Sequence, residues 1–185
     1  MTRLSDNDYI RKILAGDTDC FAPLLERYSK QVFALAVRIV GNRLDAEEVT
    51  QDVFLKAFRS LSKFRGESSF STWLYRIAYN VAVSTVRKQA IDILSIDESV
   101  CDNIPDEITD DDNAIVTDAR INSLNCALDK LPPSDKAMLQ MFYHDEKSME
   151  DIAVIMQMTV TNVKTRIFRL RKKLYEMIKI MEDGR

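Results

Sequence analysis

Apolar residues recur at helical spacing along most of the chain. In "DTDCFAPLLERYSKQVFALAVRIVG" Phe21, Leu24, Leu25, Tyr28, Val32, Leu35, Ala36 and Ile39 share one face, and Gly41 supplies a stop. The preceding "SDNDYIRKILAGD" predicts a short helix that starts near Ser5 or Asp6 and ends just before Gly16. A third helix is expected to open at "DAEE", with Asp45 as N-cap and Glu48 at the capping-box position. It runs on through Val49, Val53, Phe54, Ala57, Phe58 and Leu61. After the loop "KFRGESSFS" a fourth helix is expected from Ser71 or Thr72 to about Lys88. Leu74, Ile77, Ala78, Val81 and Thr85 form its inner face. Four helices with short joins imply a compact bundle.

Periodicity weakens across "DILSIDESVCDNIPDEITDDD" and returns with Ile121, Leu124, Leu128 and Leu131, until "PP" at 132–133 ends it. Pro133 or Ser134 then opens a helix carrying Ala137, Met138, Met141 and Phe142. In "SMEDIAVIM" Ser148 takes the N-cap role, with Asp151 three residues on. A short helix (149–156), the turn "QMT" and a longer helix (160–174) have the proportions of a helix-turn-helix. Ile152 and Ala153 face inward, Met158 fills the turn, and Val163 and Ile167 anchor the second helix. Gln157 occupies a turn position often held by glycine, where a left-handed backbone costs about 1 kcal/mol. The stretch 159–174 carries six basic side chains and no acidic one. With Thr159 as N-cap, its outer face offers Thr161, Asn162, Lys164, Thr165, Arg166, Phe168 and Arg169, with Lys172 beyond. Residues early on such a helix meet base edges, and Arg and Lys further along meet phosphates.

Composition sharpens the picture. Only four glycines and four prolines in a chain that is 46% hydrophobic point to an all-α protein. Charge is partitioned: residues 1–91 carry 14 basic and 10 acidic groups, 92–119 carry none and 10, and 120–185 carry 12 and 9. Two small, mildly basic helical domains, an N-terminal bundle (1–91) and a C-terminal helix-turn-helix (120–185), are therefore expected on a flexible acidic linker (92–119). Twenty-eight residues of coil span roughly 30 Å r.m.s., and fully extended they reach roughly 90 Å. Cys20, Cys101 and Cys126 have no metal-type spacing and suit a reducing cytosol, as buried inert thiols. His144 is the only histidine, so no metal site and no cofactor are expected. Without a phosphate loop or a nucleophile–base pair, an enzyme is not expected. Neither a signal peptide nor a membrane-length apolar run is seen, so the expected location is cytoplasmic.

Two further groupings carry chemistry. Glu48, Gln51 and Asp52, with Asp45 nearby, form an acidic and amide stripe on the third helix, with Phe54 and Phe58 at i+3 and i+7 from Gln51. The loop and fourth helix interleave Phe64, Arg65, Phe70, Trp73, Tyr75, Arg76, Tyr79, Asn80, Arg87 and Lys88. Aromatic and cationic side chains together suit unpaired bases, although Phe70 and Trp73 read as core.

"DAEEVTQDVFLKAFRSLSKFRGESSFSTWLYRIAYNVAVSTVRK" resembles region 2 of the extracytoplasmic-function (ECF) sigma factors of bacteria. "LPPSDKAMLQMFYHDEKSMEDIAVIMQMTVTNVKTRIFRLRKKL" resembles their region 4. The resemblance implies an initiation factor that directs core RNA polymerase to promoters and assists melting of the −10 element. Glu48, Gln51 and Asp52 match the acid-x-x-Gln-acid pattern that grips the β′ clamp helices, with the lengths of the two acids exchanged. Phe64, Arg65, Gly66, Glu67, Ser68 and Ser69 match the loop that pockets a flipped −10 base, and Arg76, Asn80 and Arg87 lie on the helix that follows it. Lys164, Thr165, Phe168 and Arg169 match positions that meet the −35 element. The implied partners are core polymerase through its β′ clamp and β flap, promoter DNA, and an anti-sigma factor, with no direct membrane insertion. Promoter elements one and a half turns apart lie roughly 50 Å from each other, so the linker must stretch, and its ten carboxylates favour extension. Two other readings stay open: an autonomous helix-turn-helix regulator with an N-terminal sensor or dimerisation bundle, and a helical interaction protein that binds no DNA.

Overall fold

The structure, a computed structural model, describes residues 4–95 and 115–183. Ser5 starts the first helix, α1 (Asp6–Leu14), through a reciprocal cap: its hydroxyl accepts the Asp8 N–H, and the Asp8 carboxylate accepts the Ser5 N–H. Asp6 then receives hydrogen bonds from Arg27 and from the Tyr28 hydroxyl, the latter at 2.5 Å, tying α1 to α2 (Ala22–Val40). Burial, followed by the Asp6 carboxylate, pushes the Tyr28 phenol up to about 12. Gly41 closes α2 at φ 85°, a left-handed backbone that glycine adopts without a Cβ clash.

The next helix begins earlier than the capping pattern suggests. Asn42, in an extended conformation, caps α3 (Arg43–Ser60) by accepting the Asp45 N–H at 2.8 Å. Asp45 is therefore a first-turn residue rather than the N-cap. A second bond runs from the Asn42 side-chain amide to the Asp45 carboxylate at 2.6 Å, so the cap lies three residues upstream of "DAEE". Ser69 caps α4 (Phe70–Ser95) by accepting the Thr72 N–H at 3.1 Å, and α4 continues seven residues past Lys88. Helices α2, α3 and α4 enclose Leu24, Val32, Leu35, Val49, Val53, Leu74 and Tyr75, each 2% exposed or less.

The second module comprises α5 (Ile115–Asp129), α6 (Pro133–Leu139), a π-helical turn over Gln140–His144, α7 (Met149–Met156) and α8 (Val160–Asp183). Its core holds Ala137, Met138, Met141, Ile152, Ile155 and Val163. Among the described side chains of α5 the buried positions are Ser123 and Ala127, while Leu124 is 39% exposed rather than inward. Small residues let α5 approach its neighbours closely, and Leu124 is turned onto the flank. The expected linker falls mostly on 96–114, outside the described residues; α4 and α5 run into its two ends.

The two modules touch directly, α2 against α6 and α4 against α7. Neither described cysteine is buried, contrary to expectation: Cys126 is exposed and Cys20 half-buried. Cys20 donates to the Asp17 carboxylate at 3.1 Å, which raises its thiol and keeps it protonated.

Candidate nucleic-acid interface

The C-terminal pair of helices has the geometry its sequence implies. Ser148 caps α7 by accepting the Asp151 N–H at 3.0 Å, and the chain leaves α7 through Gln157 at φ 56° and ψ 46°. Thr159 caps α8 through the Asn162 N–H at 3.2 Å. The left-handed turn is held without glycine because Met158 N–H bonds back to the Ala153 carbonyl at 2.9 Å. Gln157→Gly is expected to raise stability by about 1 kcal/mol, roughly 2–4 °C in Tm for a chain of this size, measured by circular dichroism. A lower Tm would mean that the Gln157 side chain contributes more than its backbone strain costs.

Val163, Ile167, Leu170 and Leu174 bury one face of α8. The opposite face presents Thr161, Asn162, Lys164, Thr165, Phe168 and Arg169 to solvent, with Phe168 70% exposed. An aromatic ring that exposed gains nothing from its own fold, which suits an apolar base-edge contact. The Thr165 hydroxyl donates to the Thr161 carbonyl at 2.9 Å, leaving its methyl and lone pairs outward. Arg166 is different. Its guanidinium bonds to Asp135 at 2.6 Å and to Ser134 at 2.9 Å, pinning α8 to α6. Arg171 lies over the Tyr143 ring, 5.6 Å from its centroid. Lys172 makes a loose exposed pair with Glu176 at 3.9 Å.

On the N-terminal module, Arg65, Gly66, Glu67 and Ser69 are exposed and Ser68 is half-buried. Gly66 sits at φ 72°, where only glycine is unstrained. Phe64 points away from that loop tip. Its ring packs 5.3 Å from Trp73 and 5.9 Å from Phe70, so it anchors the loop to the core. Arg76, Asn80 and Arg87 are all exposed on α4, at spacings that put them on one side of the helix. An exposed tip and a basic helix flank are thus contiguous, an arrangement chemically suited to unpaired bases.

Glu48, Gln51 and Asp52 lie together on the exposed face of α3. Asp45 does not join them, because Gln89 of α4 donates to its carboxylate at 2.6 Å. The structure adds what sequence reasoning missed: Leu44 and Leu55, 79% and 53% exposed, flank the polar residues, and Phe58 is 40% exposed. Positions 44, 48, 51, 55 and 58 alternate steps of four and three, the seam of a coiled coil, here with no partner helix among the described residues. That spacing was the available signal.

A second missed surface is an apolar groove of about 490 Å³ between α5, α6, the π-turn and α8. Leu124, Leu128, Leu139, Leu174 and Ile178 line it, and Arg38, Lys136, His144 and Arg171 stand around it. Its signal was the apolar phase of Leu170 and Leu174 continuing through Met177, Ile178 and Met181. Among the described residues, no three His, Cys, Asp or Glu side chains gather as a metal site would need, and no helix is long and apolar enough to cross a membrane.

Residues 24–91 match the sigma-70 region 2 family, and residues 121–174 match the sigma-70 region 4 family. The RNA polymerase sigma-H factor of Pseudomonas aeruginosa is 32% identical over 181 residues, 94% of each chain. The ECF RNA polymerase sigma factor SigW of Bacillus subtilis is 31% identical over 92% of this chain and 95% of its own. Among solved structures, the sigma factor RpoE of Bartonella quintana, held in complex with the anti-sigma factor NepR, superposes with a TM-score of 0.69 at 22% identity. That match covers 86% of this chain and 97% of the other.

Proposed function

Since the chain belongs to the ECF sigma factors, whose work is promoter-directed initiation by RNA polymerase, we propose that three of its surfaces divide that work. The exposed seam of α3, with Glu48, Gln51 and Asp52 at its centre and Leu44, Leu55 and Phe58 around them, binds the β′ clamp helices of core polymerase. This seam is the observation that carries the reading. A run of leucines and acids at coiled-coil spacing, left uncovered by its own fold, is complementary to a helical partner.

The loop 64–69 and the Arg76, Asn80 and Arg87 flank of α4 take the −10 element. Opening it is not a covalent reaction; capture of exposed bases offsets the few kcal/mol of unstacking. Thr161, Asn162, Lys164, Thr165, Phe168 and Arg169 take the −35 element, with Lys172 on its phosphates. Arg166 supports this surface from behind. The apolar groove with basic side chains around it suits an amphipathic helix with acidic flanks. We place the β flap contact there, together with the site at which an anti-sigma factor competes. The divisions 1–91, 92–119 and 120–185 follow the same partition of tasks.

The test is promoter-specific transcription reconstituted with purified core polymerase. Transcripts that require the chain, together with weak binding to the same promoter by the chain alone, fit a sigma factor. Tight, sequence-specific binding by the chain alone fits the autonomous regulator. Within that assay Arg169→Ala is expected to lower transcription from its own promoter about tenfold or more, a loss of about 1–3 kcal/mol at one base contact. Lys172→Ala is expected to weaken all DNA sequences alike and to reduce the salt slope by about one ion. Equal sequence dependence of the two variants would contradict this division.

A further inference from the structure

The apolar groove has the build of a small-molecule site as well as a surface for a helix. Leu124 and Leu128 stand one turn apart on α5, and Leu174 and Ile178 one turn apart on α8, so each helix contributes a two-rung aliphatic wall. Exposure falls from Leu124, through half-buried Leu128 and Ile178, to the buried Leu139 and Leu174, as it does from the mouth of a slot to its floor. The amide that lines it, Gln140, is itself buried and donates to the Asp145 carboxylate at 3.3 Å. A ligand therefore meets mostly aliphatic surface there. The volume of about 490 Å³ falls within the roughly 300–1,000 Å³ of small-molecule sites.

The rim is one-signed. Arg38, Lys136 and Arg171 line the groove and no acidic residue does, although the chain carries 29 acidic groups against 26 Lys and Arg. Lys136 has a loose partner in Asp129 at 3.6 Å. The guanidiniums of Arg38 and Arg171 make no hydrogen bond or ion pair among the described residues; Arg171 lies over the Tyr143 ring instead. A guanidinium is a planar fork that fits a carboxylate through two parallel N–H···O bonds.

Cations without counter-charges beside an aliphatic slot select one chemistry, an anionic head on an aliphatic chain. A free phosphate would leave the leucines in water, and a neutral apolar molecule would leave the guanidiniums without a partner. A second copy of the chain, docked by the same face, would bring the same cations against these.

We propose that the groove binds a single-chain carboxylate amphiphile, its chain between the α5 and α8 side chains and its head on Arg171 and Arg38, and that an occupied groove is closed to the β flap. The ligand site stands on the groove alone; the exclusion rests on the placement of the β flap contact there.

Isothermal titration calorimetry on the full chain tests the site, with sodium dodecanoate kept below the concentration at which it forms micelles. Dodecanoate binds saturably, at about one per chain. Octanoate, four methylenes shorter, binds roughly a hundredfold more weakly. Dodecyltrimethylammonium, with the same chain and a cationic head, does not bind. Arg171→Gln weakens dodecanoate about tenfold. Leu124→Gln, at a position already partly in solvent, does the same. Circular dichroism verifies helix content in both variants.

No saturable binding of dodecanoate overturns the proposal. Equal binding of the cationic amphiphile, or affinity unchanged by both substitutions, means adsorption on another apolar face and overturns it too. Binding that tightens tenfold or more in Asp110→Ser/Asp111→Ser/Asp112→Ser makes the chain's own acidic stretch the occupant, and the proposal falls. The exclusion is read by fluorescence anisotropy of the labelled chain with core polymerase. Dodecanoate, at a concentration that fills the wild-type groove but not that of Arg171→Gln, weakens wild-type association severalfold and spares the variant. Unchanged association of a chain that binds dodecanoate overturns the exclusion and faults the β flap placement, while the calorimetry upholds the site.

Discussion

Mixed with bacterial core RNA polymerase and passed over a size-exclusion column, the Gln51→Ala/Asp52→Ala variant is expected to elute as free protein while the wild type travels with the enzyme. Both side chains are exposed, and neither makes a hydrogen bond or ion pair within the described residues, so the fold loses nothing when they go. Alanine is also the better helix former, which leaves α3 intact or slightly firmer. Any loss of association therefore reports on the partner. Truncating a desolvated charged or amide group at the centre of an interface costs about 2–5 kcal/mol, so affinity is expected to fall at least 100-fold, a change of about 2.7 kcal/mol. Leu55→Ala, at the edge of the same seam, is expected to weaken association by about tenfold, the loss of a partly buried apolar contact. Retained co-elution of the double variant would place the polymerase contact elsewhere on the chain.

Arg166→Ala is expected to act on stability before it acts on DNA. Its guanidinium is the partner of Asp135, whose side chain is only 12% exposed, and the pair joins α6 to α8. Removing the cation leaves a nearly buried carboxylate without its counter-charge, at a cost of about 2–3 kcal/mol. For 185 residues that corresponds to a fall in Tm of roughly 4–12 °C. Adding Asp135→Ala removes the stranded charge, so the double variant should recover part of the loss and depart from additivity. Arg169→Ala, on the open face, should leave Tm unchanged. If Arg166→Ala melts like wild type and only weakens DNA binding, Arg166 belongs on the promoter surface after all.

Those two arginines show which parts of the molecule could be read from sequence. Arg166 and Arg169 are identical in type and lie in one basic run; spacing alone puts both on the outer side of α8. Their fates separate only when Asp135, 31 positions away, arrives beside one of them. The helix-turn-helix itself was legible because its signals are local: Ser148, Thr159 and the small Ala153 act within a few residues of one another. The start of α3 lies earlier than its sequence suggests because two overlapping cap candidates, Asn42 with Asp45 and Asp45 with Glu48, look alike in sequence. The extended backbone of Asn42, directly after the left-handed Gly41, decides between them. Phe64 read as a loop aromatic free for stacking, and its burial against Phe70 and Trp73 depends on the tertiary approach of α4. The packing of α4 on α7 had no sequence signature, since Ser71, Thr72 and Lys147 are ordinary polar residues until a second module meets them.

Helix α8 serves two surfaces. Its first half carries the exposed side chains proposed to meet the promoter, and its second half, from Leu174 to Ile178, walls the apolar groove. One continuous rod of 24 residues, roughly 36 Å at 1.5 Å per residue, therefore sets the angle between them. A single residue inserted or deleted near Lys173 would turn one surface by about 100° about the axis relative to the other while leaving every side chain of both in place. Substitutions can retune either half separately, but the register of the rod ties them together: lineages are free to change what each end recognises and constrained in how many residues lie between.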